Sequence, residues 1–136
     1  MEAPSTIRVR KKKRVLELSY AALQSPVDLS FEYLRVYSPS AEVMGHGRRP
    51  GPLQSGKKNV VITLVEPAGH YGLRLVFDDG HSSGIYTWDW LWELGSCQVQ
   101  LWQAYLDRLA AAGACRDPDT APVRIMEPRN ARDDSL

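Results

Sequence analysis

Apolar and polar residues alternate along Val15–Tyr20, which puts Leu16, Leu18 and Tyr20 on one face of a half-buried strand. After a loop over Ala21–Ser25, Val27, Leu29 and Phe31 alternate again and predict the antiparallel partner that closes a hairpin. Ser30 is placed to cap a short helical turn over Phe31–Tyr37, with Glu32 near its positive end and Pro39 as the stop. Val60–Val65 is almost wholly apolar and β-branched, the composition of a central strand buried on both faces. Tyr71–Phe77 reads as a strand with Leu73, Leu75 and Phe77 on one face. Asp78-Asp79-Gly80 is a hairpin turn, and the returning strand opens at His81. Thr87 caps a helix with Trp88, Leu91 and Trp92 on one stripe and Gly95 at its end. A longer helix over Gln98–Ala112 carries Val99, Trp102, Leu106 and Leu109 as its apolar stripe, and Gly113 ends it. Strands first and helices last predict an α+β fold: a small antiparallel sheet built from hairpins, with two to three helices packed on it.

Composition narrows the class. At 136 residues and 43% hydrophobic the chain forms one compact domain and is too apolar to be disordered. There is no room in it for a two-domain enzyme. No apolar run reaches the ~18 residues of a membrane span, and no hydrophobic segment follows the first charged residues as in a secretory signal. Cys97 and Cys115 are the only thiols and form no CxxC, which fits a reducing, cytoplasmic setting.

The net charge of +1 conceals an uneven layout. Arg8, Arg10, Lys11, Lys12, Lys13 and Arg14 are six of the seventeen basic residues, and from Val15 onward eleven basic residues face fifteen acidic ones. The expected organisation is a basic flexible arm over 1–13, a folded domain over 14–113 and a Pro- and Asp-rich disordered tail over 114–136. The basic run has two readings. One is contact with an anionic partner, or a nuclear signal in a eukaryote; the other is a solvated arm leading into the first strand. No RRM, zinc-finger or helix-turn-helix pattern follows it, which disfavours nucleic acid.

Several residue patterns bear on chemistry. Gly51-x-x-x-x-Gly56-Lys57-Lys58 imitates a P-loop, but a strand follows it where a phosphate cradle needs a helix, so Lys57 and Lys58 read as solvated loop residues. His46, His70 and His81 show neither H-x-D/E nor HExxH spacing. No serine stands in a GxSxG elbow. Cys97 at a helix start is a small buried residue or a thiol of lowered pKa. Trp88, Trp90 and Trp92 cannot all face inward from one helix, since positions i and i+2 point about 200° apart. Trp88 and Trp92 are assigned to the core. Trp90 either seals against the second helix or is an exposed anchor for a protein partner.

Three segments taken together resemble a known family: Tyr33–Val43 (YLRVYSPSAEV), Gly72–Tyr86 (GLRLVFDDGHSSGIY) and Trp88–Leu91 (WDWL). They are similar to the gamma-butyrobetaine hydroxylase-like N-terminal domain, over about residues 14–110. In the eukaryotic hydroxylases this domain precedes a 2-oxoglutarate- and iron-dependent catalytic domain. It holds a structural zinc through three cysteines after an L-R motif and one histidine after a D-G turn. The resemblance places those cysteines on Ser38, Ser40 and Val43 and the histidine on His81, so three of the four ligands differ from the family pattern. The catalytic domain has no counterpart in these residues. The family's domain also occurs fused to Mrp-like ATPases that carry iron–sulfur clusters, which implies an accessory or protein-interaction role.

Three readings of function follow. The first is a stand-alone, non-catalytic domain that binds a protein partner and needs no cofactor. The second is an accessory protein for iron or iron–sulfur assembly that holds zinc or iron on His81 and His46. The third is an anionic-ligand binder acting through residues 8–14.

Overall fold

The computed structural model describes residues 2–40 and 52–118. Strands β1 (Thr6–Arg10), β2 (Val15–Ser19) and β3 (Val27–Ser30) form an antiparallel sheet in that order. The hairpin of β2 and β3 is the one the alternation predicts, with Leu16 opposite Leu29. The basic segment differs from expectation. Residues 6–10 are a paired strand and not part of a free arm, because Ile7 and Val9 alternate with Arg8 and Arg10 and pair with Leu18 and Leu16. The charges find local partners: Arg8 lies opposite Glu17, and Arg10 Nε is 3.5 Å from Glu17 Oε1. Arg14 closes the β1–β2 turn in the left-handed region (φ 59°) and donates from Nη2 to the Val60 carbonyl at 2.8 Å.

Helix α1 (Phe31–Val36) follows β3 without a loop, and Ser30 Oγ accepts the Tyr33 N–H at 3.0 Å as its cap. All six residues of α1 are buried, Glu32 and Arg35 included.

The second antiparallel sheet contains β4 (Ile62–Ala68), β5 (Gly72–Phe77) and β6 (Ser82–Thr87), with β5 in the middle. The apolar run over 60–65 is therefore not a central strand. It enters an edge strand, bulged between Ile62 and Leu64, and Leu64 is 48% exposed. The middle place goes to β5 because short turns join it to a partner on each side. Gly72 in β5 is a close-approach position: a Cβ there would lie 2.2 Å from the Tyr86 carbonyl oxygen.

Helices α2 (Trp88–Ser96) and α3 (Gln98–Ala111) follow the second sheet. Thr87 Oγ1 caps α2 by accepting the Trp90 N–H at 3.1 Å, and the helix runs one residue past Gly95. In α3, Tyr105 and Leu109 are buried, and Trp102 and Leu106 are half-buried. Val99 is 81% exposed, against its expected place in the apolar stripe, because the face that α3 turns inward runs through Leu101, Trp102, Tyr105 and Leu109.

One apolar cluster joins Leu16, Leu18 and Leu29 of the first sheet to Leu75, Phe77 and Tyr86 of the second, with Leu34, Leu91 and Leu94 of the helices between them. The fold is thus α+β, built on two small three-stranded sheets and not one. The chain after α3 also departs from the expected free tail. Cys115 and Arg116 carbonyls accept the Gly56 and Lys58 N–H groups, both at 3.0 Å. Residues 119–136 of that tail lie outside the described residues. Among the described residues no helix is long and apolar enough to cross a membrane.

Candidate functional site

Two elements bring the resemblance-derived positions together. Ser38 and Ser40 follow α1, and His81 follows the Asp78–Gly80 turn. His81 Nε2 lies 3.0 Å from Ser38 Oγ and 3.4 Å from Ser40 Oγ. A bulge between β5 and β6 shapes the third side of this cluster. It frees the Leu75 N–H for Ser83 Oγ at 3.0 Å and turns the Ser83 carbonyl toward Ser38 Oγ at 2.9 Å. Gly84 supplies the positive φ of 74° that this bulge requires.

The hydrogen-bond pattern assigns the protons. A carbonyl only accepts, so the single Ser38 hydroxyl hydrogen goes to Ser83. Ser38 Oγ then accepts from the Ser40 N–H at 3.3 Å and from His81, whose Nε2 carries the proton. All capacity of Ser38 is used, and both Ser38 and Ser83 are fully buried.

These donors do not fit the zinc that the resemblance implies. Zinc takes thiolate and neutral imidazole nitrogen, and here it would meet two neutral hydroxyls beside a single imidazole. Among the described residues no group of three or more His, Cys, Asp or Glu side chains converges. Val43 and His46 lie outside the described residues.

Beside this cluster Asp79 gathers three donors. Its Oδ2 accepts Lys57 Nζ at 2.7 Å and Arg35 Nε at 2.9 Å, and its Oδ1 accepts the His81 N–H at 3.1 Å. Burial raises its pKa, but these hydrogen bonds and the Arg35 charge outweigh that and hold the carboxyl at about 2. Lys57 is therefore anchored, contrary to its expected place in solvent.

A second feature involves Glu32 of α1. A cleft of about 680 Å³ opens between the β1–β2 turn and the first turns of α3. Lys13, Arg14, Lys58 and Arg116 line it with Glu32 and Trp102. Glu32 is buried and neutralised: Arg116 donates to it from Nε and Nη2 at 2.9 and 2.7 Å, and Tyr105 donates from its hydroxyl at 3.1 Å. Burial, followed by the nearby Glu32 charge, pushes the Tyr105 pKa upward. Arg116 also stacks 5.2 Å over the Trp102 ring. Arg116 lies 84 positions from Glu32, and no local signal announces the pair. The only hint is Glu32 itself, set in the apolar segment Phe31–Leu34 where a carboxylate requires a partner.

The remaining sequence-selected residues stay apart from both features or join one of them. Arg8 and Arg10 lie on β1, and Arg10, Lys11, Lys12 and Lys13 border a shallow cleft at the turn. Trp90 is half-buried against the main core and donates from Nε1 to the Tyr37 carbonyl at 3.1 Å, so it is not an exposed anchor. Trp90→Phe, which keeps an aromatic ring and drops that bond, should lower stability by about 1 kcal/mol in urea unfolding. An unchanged midpoint would show that the bond is dispensable.

Comparison with known proteins agrees with this architecture. The family described as "Gamma-butyrobetaine hydroxylase-like, N-terminal" matches residues 7–92. No curated protein matches the chain. Among solved structures, one determined by NMR in solution is 51% identical, with a TM-score of 0.76 over 93% of this chain and 99% of that one. A second NMR structure is 43% identical, with a TM-score of 0.73 over 96% and 95%. A crystal structure from Acidithiobacillus ferrooxidans, of a protein with unknown function in the DUF971 family, is 37% identical, with a TM-score of 0.56 over 68% and 91%. Matched by the family over residues 7–92 and 51% identical to a solved relative over 93% of its length, the chain belongs to the gamma-butyrobetaine hydroxylase-like N-terminal domain family.

Proposed function

We propose that the protein is a non-catalytic accessory domain that docks a protein partner on the cleft between the β1–β2 turn and α3. The observation that carries this reading is the cleft itself, with Trp102 in its wall and Val99 projecting from its lip. Concave surfaces with an aromatic wall are where a few residues concentrate binding energy. The Ser38–His81 pair supports a non-catalytic role. It is closed off from solvent and its hydroxyl hydrogen is already bonded to a backbone carbonyl, so it pins the α1 exit to the β5–β6 turn.

Site-specific photocross-linking tests the proposal. A benzophenone side chain replacing Val99 should give a discrete higher-mass adduct in the source cells. The same group at Tyr71, exposed at the β4–β5 turn, should not. Equal adducts at both positions, or none at Val99, would refute docking on this cleft.

A further inference from the structure

We propose that this cleft takes a short acidic segment of the partner, its carboxylates on Lys13 and Lys58 and an adjacent apolar side chain on the Val99 shelf. The inference rests on the docking reading above and adds the chemistry of the ligand. The cleft is in the size range of built ligand sites. Four cationic side chains and one carboxylate line it, and Arg116 spends its charge on Glu32 through two parallel bonds. The charge left facing the opening is therefore positive. Arg14 is held in place by the Val60 carbonyl, whereas Lys13 and Lys58 are exposed and able to reach a ligand. Lys11 and Lys12 continue the positive field around the turn next door. From Val15 onward the chain is net acidic, so the basic turn beside the cleft stands out in charge from the sequence that follows it.

The apolar half of the recognition comes from Val99. It is the most exposed of the large hydrophobic residues and lies in the same wall as Trp102. The surroundings of Trp102 also separate a peptide from a single-stranded nucleic acid. Bases need a free aromatic face to stack on. The Trp102 ring is covered by Arg116 and flanked by Tyr33 and Tyr105 at centroid distances of 6.2 and 5.2 Å. The cleft thus offers cations and an aliphatic shelf beside a ring that Arg116 already caps.

The test is an NMR titration of the full chain with the peptide acetyl-Glu-Glu-Leu-Asp-Glu-amide, beside its Gln/Asn counterpart. The acidic peptide should shift the amides of Lys13, Lys58 and Val99 and the Trp102 indole, and the neutral one should not. Lys13→Glu with Lys58→Glu should weaken binding roughly tenfold, since both residues are exposed and the fold is spared. Arg74→Glu on the second sheet should leave it unchanged. High salt should release the peptide, because the screening length falls to about 3 Å at 1 M. Equal binding of the neutral peptide, or shifts that map elsewhere, would overturn the inference. So would a single-stranded RNA oligonucleotide that binds the same resonances more tightly, which would make the cleft a polyanion site. Loss of peptide binding with the Val99 adduct intact removes the acidic segment and keeps the docking site. Peptide binding without the adduct removes the docking reading alone.

Discussion

Asp79→Asn should destabilise the folded domain by about 3–4 kcal/mol at neutral pH, the combined loss of a charged acceptor and of the counterion of a buried cation. Among the described residues Asp79 is the one carboxylate that faces Arg35 Nε and Lys57 Nζ together, and it also fixes the turn through the His81 N–H. The Arg35 side chain is 8% exposed, and its Nη1 has no hydrogen-bond partner among the described residues. Without Asp79 the whole guanidinium would be left buried without its anion. The acid response follows from the same geometry. The folded carboxyl titrates at about 2, below the ordinary aspartate value of 3.8, so the folded state binds its proton less readily than the unfolded chain does. Its contribution is complete above about pH 4 and is lost as pH falls through about 2, worth about 2 kcal/mol over that window. Urea unfolding from pH 7 down to pH 2 should show the wild-type midpoint falling across the window while that of Asp79→Asn falls less. Parallel curves for the two proteins would mean that Asp79 carries no such coupling.

What the sequence discloses and what it conceals divide along the range of the forces involved. The β2–β3 hairpin, the Ser30 and Thr87 caps and the Asp78–Gly80 turn all follow from neighbours within a few positions, and each is where local patterning puts it. The errors fall where a distant partner decides. Residues 6–10 look like a solvated arm because six of the seven residues over 8–14 are basic, yet β2 offers Leu16 and Leu18 to Val9 and Ile7. The run over 60–65 looks buried on both faces, but the flanking turns give the central place to β5 and leave Leu64 half-exposed. Alternation also cannot say whether two hairpins share one sheet, and here they form two. The site divides in the same way. Ser38, Ser40 and His81 meet where the family pattern puts its ligands, 41 and 43 positions apart. The cleft leaves no local trace, because it depends on α3 and the β1–β2 turn facing one another and on Arg116 returning to Glu32.

The Ser38–Ser40–His81 cluster occupies positions that the resemblance gives to zinc ligands and carries the wrong donors, so changing the donors should create a site. In the variant Ser38→Cys, Ser40→Cys, two thiols would face His81 Nε2 from positions where hydroxyls now lie 3.0 and 3.4 Å away. Two thiolates and an imidazole leave one tetrahedral position for water, the open form of a zinc site. About one Zn²⁺ or Co²⁺ per chain should bind, with sulfur-to-cobalt charge transfer in the near ultraviolet. Adding His81→Ala should reduce the affinity strongly, since imidazole is the one native ligand of the three. Without metal the double variant should be less stable than the parent by about 1–2 kcal/mol, because the Ser83 carbonyl and the His81 N–H lose a good hydroxyl partner. Metal should then raise the unfolding midpoint of the variant and leave that of the parent unchanged, since only a ligand bound to the folded state shifts the equilibrium. Absence of cobalt absorption in a folded double variant would show that the serines and His81 are arranged for hydrogen bonding in a way that thiolates cannot share with an ion. Co²⁺ absorption in the parent protein would show that its own residues hold a metal, and the exchange of a metal for a hydrogen-bonded pin would be wrong.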